Sequence, residues 1–211
     1  MKYSLFYSAL LAMSFVIVAC DDGSSSSVTQ SEVEGVLTDS RDGQVYKTVV
    51  IGSQTWMAQN LNYETANSYC YSDSAEYCFK YGRLYTWDAA KTACPGGWHL
   101  PTKAEFETLF TTVGGQSTAG IKLKSTSGWN DIGGNGTDDY SFSALPAGMK
   151  DYKFGGYSML NYSACSWSST EYNWADAYAA SISKLTEVEE DDATLFSTEK
   201  DHGFSVRCVK D

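Results

Sequence analysis

The pattern of hydrophobic and polar positions predicts that the first ordered part of the chain is a β-hairpin followed by a third strand. Residues 36–37 and 45–51 are rich in β-branched and aromatic residues, and they flank an Asp-Gly turn at 39–43. A Gly-Ser turn follows, and residues 54–58 continue as a strand. We therefore expect three consecutive strands.

Two helices are predicted after these strands. Residues 84–94 have a helical pattern that ends where Pro95 begins a Pro-Gly-Gly sequence. Thr102 opens the second helix, because Glu105 follows it three residues later in the arrangement of a capping box. Apolar residues then recur at helical spacing and predict one buried face: Phe106, Leu109, Phe110 and Val113.

The remaining segments alternate between loops and strands. Residues 60–81 are aromatic and irregular, and residues 125–139 form a polar, glycine-bearing loop. Turn residues at 146–148 and 155–156 and the acidic run 187–192 separate the later segments with strand patterns, which are 140–145, 164–169, 174–182 and 204–209. Since there is no internal repeat and no βαβ rhythm, this order predicts one α+β domain.

The N-terminal residues are typical of an export signal. Lys2 precedes an apolar run at 5–18, which is shorter than the roughly 20 residues that a membrane-spanning helix needs. Ala19-Cys20 after this run resembles the lipobox of bacterial lipoproteins, which implies that Cys20 is lipidated; an ordinary signal peptide with a chance cysteine is the alternative. We expect a signal peptide at 1–19, a lipidated cysteine with a flexible polar tether at 20–34, and one domain at 35–211.

Composition narrows the choice of partners. The formal net charge is −11, and removing residues 1–19 takes away Lys2 alone, so 14 basic residues face 26 acidic ones and the mature charge is about −12. An acidic chain without a basic stripe disfavours nucleic acid as a partner. The 15 Tyr, 6 Trp and 18 Gly fit a loop-rich extracytoplasmic domain. We therefore expect a lipid-anchored protein of the bacterial cell envelope, periplasmic or on the cell surface.

Five cysteines follow Cys20: Cys70, Cys78, Cys94, Cys165 and Cys208. Leaving one out and pairing four allows five times three, or fifteen, arrangements. An exported chain makes disulfides chemically reasonable. A zinc site is not expected, because the chain has no Cys-x-x-Cys and its two histidines lie apart.

Five segments carry a resemblance to a known family: VIGSQTWMAQNL (50–61), YGRLYTW (81–87), CPGGWHLPT (94–102), WSST (167–170) and SVRCV (205–209). Together they resemble the Fibrobacter succinogenes major paralogous domain over nearly the whole mature chain. More broadly, the chain resembles the C-type lectin-like fold that formylglycine-generating enzymes share. The resemblance implies an architecture and a surface-lipoprotein location, but no activity.

The lectin-like resemblance implies two helices packed on a mostly antiparallel sheet with long loops. In such domains a long disulfide joins the cysteine that ends the first helix to the last strand, which supports pairing Cys94 with Cys208. We pair Cys70 with Cys78 and leave Cys165 as the odd thiol.

The long polar loop is the candidate metal site. Its Trp129-Asn130-Asp131 sequence resembles the calcium and sugar site of C-type lectins, but the Glu-Pro-Asn or Gln-Pro-Asp partner of that site is missing. A looser hypothesis takes four oxygen-bearing residues as calcium ligands, with Gly133, Gly134 and Gly136 folding the backbone around the ion. These ligands are Asp131, Asn135, Asp138 and Asp139. The alternative is a solvated loop rich in turns, and no cofactor is required.

The candidate recognition patch lies before the last strands. Aromatic residues beside polar groups can stack on sugar rings or anchor a protein interface. Glu171, Tyr172, Asn173 and Trp174 have this composition, whereas Trp167 is expected in the core.

Cys165 resembles in position a catalytic cysteine of formylglycine-generating enzymes. We see neither an activating group nor a second thiol for it, and a buried inert thiol or an intermolecular disulfide is the alternative. The function expected from the sequence is a lipid-anchored binding or adhesion module for a polysaccharide or a surface protein. An active or degenerate formylglycine-generating-type enzyme and a structural envelope protein are the alternatives.

Overall fold

The computed structural model describes residues 32–131, 134–183 and 192–211. The expected signal peptide at 1–19, Cys20 and most of the tether at 20–34 lie outside these residues, as do Gly133 and most of the acidic run. Within the described ranges, no helix has both the length and the apolar character needed to cross a bilayer.

The described part of the chain contains twelve strands and four helices. The strands are β1 (Glu32–Thr38), β2 (Val45–Ile51), β3 (Gln54–Met57), β4 (Ser68–Tyr69), β5 (Leu84–Tyr85), β6 (Trp98–His99), β7 (Ala147–Lys150), β8 (Tyr157–Leu160), β9 (Ser163–Glu171), β10 (Asp176–Ser183), β11 (Asp192–Glu199) and β12 (Val209–Lys210). The helices are α1 (Ala75–Tyr81), α2 (Trp87–Ala90), α3 (Lys103–Thr112) and α4 (Gln116–Leu123), and a 3-10 turn covers Tyr71–Asp73.

The strands form two five-stranded sheets and one two-stranded ribbon. The first sheet has the order β1-β2-β3-β12-β6 and is antiparallel throughout. The second has the order β11-β10-β9-β7-β8, in which only β7 and β9 are parallel, and β4 pairs with β5. The α+β prediction with mostly antiparallel pairing is confirmed.

The N-terminal hairpin forms as the sequence predicts. Asp39 caps the turn between β1 and β2, because its carboxylate accepts hydrogen bonds from the backbone and side chain of Arg41. Gly43 has a φ of 78°, which glycine adopts without steric cost. The third predicted strand is β3.

The helices are predicted only in part. The capping box at Thr102 and Glu105 begins α3, and Phe106, Leu109 and Phe110 bury one face of this helix. The predicted helix at 84–94 is shorter, because Leu84–Tyr85 pairs as β5 and α2 spans four residues. The expectation of two helices was wrong: α1 and α4 are additional.

The strand predictions for the C-terminal half hold for β9 and β10. Residues 140–145 do not form a strand, and β7 lies instead in the predicted turn at 146–148. Gly148 allows this, because its φ is 67° and a Cβ there would clash with the backbone of β8. Of the predicted strand at 204–209, β12 covers only the last residue, and β11 was not predicted.

The core consists of two buried clusters. In the first, α3 and α4 pack on residues from both large sheets, and the rings of Trp56 and Phe106 lie 5.2 Å apart between centroids. The second is centred on Trp167 and Phe204, whose centroids are 4.6 Å apart. Trp167 is fully buried, and its indole N–H donates to the carbonyl of Tyr85 at 2.7 Å, which confirms it as a core residue.

Both expected disulfides are present. Cys70 is bonded to Cys78 and Cys94 to Cys208, with sequence separations of 8 and 114 residues. Among the cysteines that the structure describes, Cys165 is the free one, and it is buried. The long disulfide joins the turn after α2 to the residue before β12, so the end of the chain is tied to its middle.

Candidate ligand-binding site

The connection between β9 and β10 is a tight turn built around Asn173. The backbone N–H groups of Tyr172 and Asn173 both donate to the carbonyl of Asp176, at 3.0 and 3.1 Å. The Asn173 side-chain oxygen accepts from the N–H groups of Ala175 and Asp176, at 2.7 and 2.8 Å. These bonds satisfy the turn's own polar groups and hold residues 171–176, which we call the aromatic turn, in one conformation.

Lys200 fastens the aromatic turn to the segment after β11. Its ammonium donates to Glu171 Oε1 at 2.7 Å and to the carbonyls of Asn173 and Trp174 at 3.0 and 3.1 Å. The same ammonium lies 4.6 Å from the centroid of the Trp87 ring. Lys200 is therefore fixed by one ion pair, two hydrogen bonds and one aromatic ring, and these contacts fix the orientation of the aromatic turn.

The four residues of the expected recognition patch lie together but have two different roles. Trp174 is 90% exposed and Tyr172 is 55% exposed, so both rings present a free face to solvent. Tyr172 is steadied by an edge contact with Tyr178, at 5.4 Å between centroids. Glu171 and Asn173 instead form the hydrogen bonds that hold the turn.

A polar cleft of about 440 Å³ lies beside the aromatic turn and shares Lys200 with it. Its lining combines hydrogen-bond donors, acceptors and aromatic rings: Asn67, Tyr69, Thr86, Asp88, Lys150, Asp151, Tyr152, Gly155, Lys200 and Asp201. Sequence reasoning missed this cleft, because it is assembled from four separate segments. A pattern of neighbouring residues does not reveal such a site.

The charges of the polar cleft are arranged unevenly. Lys150 lies over two tyrosine rings, 4.7 Å from the centroid of Tyr69 and 4.6 Å from that of Tyr157. No carboxylate of the described ranges forms a salt bridge with Lys150. Asp88 pairs with Lys91, and Asp151 accepts two backbone N–H groups of its own turn. A ligand in the cleft would therefore find one unpaired ammonium and several carboxylate oxygens.

The expected calcium ligands have different surroundings in the described part of the loop. Asp131 and Asp139 are exposed, and Asn135 accepts a hydrogen bond from the backbone N–H of Trp129 at 3.2 Å. Asp138 accepts from the backbone and the hydroxyl of Ser143. Among the described residues, no three acidic, histidine or cysteine side chains are grouped as a metal site. Calcium binding by this loop stays a prediction.

Asp138 lies near a buried arginine, Arg207, which sequence reasoning did not identify. Arg207 is buried, and its guanidinium donates to Asn60 Oδ1 at 2.8 Å and to the carbonyls of Phe142 and Ser143. Burial lowers the pKa of Arg207 to about 9, and the nearby negative charge of Asp138 opposes this shift. The guanidinium therefore stays charged at neutral pH. Ser143 connects the two residues, because its carbonyl accepts from Arg207 and its backbone N–H donates to Asp138.

The environment of Cys165 is that of an inert thiol. Its sulfur lies 3.2 Å from the Ser163 hydroxyl and 3.8 Å from that of Ser181. Burial raises the pKa of the Cys165 thiol, and the two hydroxyls only partly oppose this. Since the thiolate is the nucleophile, a buried thiol with a raised pKa is poorly suited to catalysis.

The geometry defines a disulfide-closed α+β domain that presents an aromatic turn beside a polar cleft. The chain belongs to the Fibrobacter succinogenes major domain family, whose model matches residues 49–210. The matched range contains both disulfides, the aromatic turn and the polar cleft. Searches of curated proteins and of solved structures found no match.

Proposed function

We propose that this protein is a binding or adhesion module of the bacterial cell envelope, anchored through lipid on Cys20, whose ligand is a polysaccharide. The observation that carries the proposal is the nearly complete exposure of Trp174 on a turn held by Asn173 and Lys200. Trp174 is grouped with the half-exposed Tyr172 and with polar groups, and exposed aromatic residues grouped in this way mark interaction sites. Because the turn is already ordered, binding would cost little further conformational entropy.

The polar cleft supports a sugar as the ligand. Its volume of about 440 Å³ lies in the usual range for small-molecule sites. Sugar hydroxyls both donate and accept hydrogen bonds, so they need donors and acceptors together. Lys150 and Asn67 supply donors, Asp201 and Asp151 supply acceptors, and Tyr152 supplies a ring. A surface protein is the second ligand class that such a patch can serve.

We further propose that the architecture is a C-type lectin-like fold. Support comes from the disulfide between Cys94, which follows α2, and Cys208, which precedes β12. The position of the aromatic turn also supports this fold, because lectin-like folds carry their ligand loops before the last strands. This part of the proposal is an analogy between folds and does not by itself imply sugar binding.

The alternatives have less support. A formylglycine-generating-type enzyme would need a reactive thiolate, but Cys165 is buried and its pKa is raised. A purely structural envelope protein would need no exposed tryptophan beside a cleft.

A glycan array tests the proposed function on residues 32–211, which contain both disulfides and both core clusters. We expect the wild-type domain to bind at least one glycan, and W174A to weaken that binding by about tenfold or more, as loss of a hot-spot aromatic does. F79A is the matched control, because Phe79 is equally exposed at 91% but lines neither the polar cleft nor the aromatic turn. Binding to no glycan would overturn the polysaccharide ligand. If the wild-type domain then adhered to cells and W174A reduced this adhesion, the ligand would be a surface protein.

The lipid anchor is tested separately. We expect the full chain to incorporate a labelled fatty acid in bacteria, and C20A to lose both the label and the membrane fraction. Labelling of C20A at the wild-type level would contradict an anchor at Cys20.

A further inference from the structure

The short disulfide lies against a buried guanidinium. Arg83 Nη1 is 3.4 Å from Cys70 Sγ and 3.5 Å from Cys78 Sγ. Arg83 is itself buried, and its Nη2 pairs with Glu64 Oε1 at 2.6 Å. The sulfurs of the long disulfide receive no such contact from any residue that the structure describes. The two disulfides of one molecule therefore have different electrostatic surroundings.

The short disulfide is also reachable from solvent. Both of its cysteines line an open cleft of about 460 Å³, which we call the disulfide cleft, together with Arg83, Glu64 and Phe79. Cys70 is half-buried, whereas Cys78 is buried. An incoming thiol can therefore approach the sulfur of Cys70, and the sulfur of Cys78 would be the leaving group.

We propose that Cys70–Cys78 is a thiol-exchange site that Arg83 activates. A thiolate of an extracytoplasmic dithiol reductant attacks Cys70 Sγ and forms a mixed disulfide, and the electron pair of the broken S–S bond leaves on Cys78 Sγ as a thiolate beside Arg83. The second thiol of the reductant then attacks the mixed disulfide, gives up its proton and displaces Cys70 as a thiolate, which takes up a proton. The dithiol is oxidised to a disulfide, and two electrons pass to the two cysteines.

The physical reason is the stability of the leaving group. A positive charge beside a cysteine lowers its thiol pKa, and a sulfur with a lower pKa leaves faster in exchange. Glu64 opposes this effect, because its carboxylate partly neutralises the same guanidinium. Arg83 is thus a positioning and electrostatic residue, and Glu64 moderates it.

Opening this disulfide would change one surface of the domain. The bond closes the segment that carries the 3-10 turn and the first part of α1, and Phe79, the residue after Cys78 on α1, is 91% exposed at the edge of the disulfide cleft. Reduction frees the start of this segment, while Cys94–Cys208 keeps the rest of the domain closed. The surface around Phe79 would then respond to redox conditions without unfolding of the domain.

Kinetic trapping tests the proposal. The folded, oxidised protein is treated with dithiothreitol at pH 7, free thiols are alkylated at intervals, and peptides are measured by mass spectrometry. We expect Cys70–Cys78 to open roughly tenfold faster than Cys94–Cys208 while the near-UV circular dichroism is retained. Joint opening of both disulfides, only as the dichroism is lost, would overturn the proposal.

Variants separate the effect of Arg83 from simple access. We expect R83Q to slow opening of Cys70–Cys78 roughly fivefold and E64Q to accelerate it. K80Q is the charge-matched control, since Lys80 lies over the Tyr81 ring and touches neither sulfur, and it should leave the rate unchanged. Wild-type rates in both R83Q and E64Q would overturn the role of Arg83.

A second readout covers the case in which R83Q fails to fold. The pH dependence of alkylation of the reduced wild-type protein reports the Cys78 thiol pKa, which we expect below the ordinary value of about 8.5 for a free cysteine. E64Q should lower this pKa further. An ordinary pKa that E64Q does not change would overturn the proposal without any use of R83Q.

Discussion

At the scale of single residues, the buried Arg207 shows how this domain tolerates a charge in its interior. Among the residues that the structure describes, no carboxylate contacts the guanidinium directly; its partners are neutral acceptors, namely Asn60 Oδ1 and two backbone carbonyls. The nearby negative charge comes from Asp138, which accepts a hydrogen bond from the backbone N–H of Ser143. Such a group is sensitive to substitution, because removing the donor leaves several buried acceptors without partners.

We therefore expect R207L to reduce the free energy of unfolding by about 3 to 5 kcal/mol. D138N should cost less, about 1 kcal/mol, because it removes the more distant charge and weakens the Ser143 contacts. Urea denaturation followed by tryptophan fluorescence measures both. D139N is the matched control, since Asp139 is exposed, and it should be neutral. Equal effects of D138N and D139N would contradict the link between Asp138 and Arg207.

His99 predicts a pH dependence of stability. Its Nδ1 lies 2.7 Å from Asp211 Oδ1 and its Nε2 2.8 Å from Glu105 Oε1. Partial burial lowers the pKa of His99, but the hydrogen bonds to Glu105 and Asp211 raise it more, so the net shift is upward from 6.5. A raised pKa means that the folded state holds the proton more tightly. The stabilisation is complete below pH 6.5 and is lost as the pH rises through the folded-state pKa.

We expect the melting temperature of the wild-type protein to fall between pH 6 and pH 8.5, and H99Q to show a smaller fall. Thermal melts of both proteins at closely spaced pH values measure this. H202Q is the comparison, because His202 contacts a single carboxylate among the described residues, that of Glu199 at 3.3 Å. An H99Q profile parallel to that of the wild type would contradict the role of His99.

At the scale of elements, local sequence signals predicted the parts that local forces determine. The hairpin of β1 and β2 follows from Asp39 and its Asp-Gly turn, and α3 follows from the capping box at Thr102. Helix α4 was missed, because it has no side-chain cap and contains Ser, Thr and Gly, so packing against β11 and α3 decides its conformation. Likewise, β7 carries turn-forming residues and exists through pairing with β8 and β9.

The candidate site divides in the same way. Residues 171–174 were selected from the sequence because Tyr172 and Trp174 lie close together in it, whereas the predicted strand began at Trp174 and β10 begins only at Asp176. The polar cleft was not predicted, because Asn67, Asp88, Lys150 and Asp201 come together only through the fold. The ligand-contacting role expected of Asn173 stays a prediction, and the structure adds that its side chain also makes the hydrogen bonds of the turn.

The loop at 125–139 offers a test of metal dependence. Asn135 already accepts a hydrogen bond from Trp129 within the loop, and Asp138 accepts hydrogen bonds from Ser143 just after it, so binding of calcium by these two side chains would require these bonds to break or shift. The calcium hypothesis predicts that EDTA lowers the melting temperature and that added calcium raises it more than magnesium does. A rise in the melting temperature with calcium alone that D131N abolishes would establish the calcium hypothesis, because a ligand that binds the folded state stabilises it.

At the scale of the whole molecule, two covalent links act over very different lengths of chain. The Cys94–Cys208 bond closes 114 residues and ties the last strand to the turn after α2, whereas Cys70–Cys78 closes 8 residues within one surface segment. In the chain-entropy model, a crosslink stabilises the folded state by restricting the unfolded one, and more strongly when the loop is longer. Most of the covalent stabilisation therefore belongs to the long disulfide.

The double variant C94A/C208A should consequently lose about 4.8 kcal/mol of unfolding free energy, and C70A/C78A about 2.5 kcal/mol. Guanidinium denaturation of both variants beside the wild type measures the difference. C165A serves as the control for replacing a buried cysteine, since Cys165 forms no crosslink, and its cost is subtracted from that of the buried Cys208. The C70A/C78A protein should keep its near-UV circular dichroism, because the core clusters and the long disulfide remain. If C70A/C78A were instead the less stable of the two, the short disulfide would stabilise the fold more than the long one, and the ranking by loop length would be wrong.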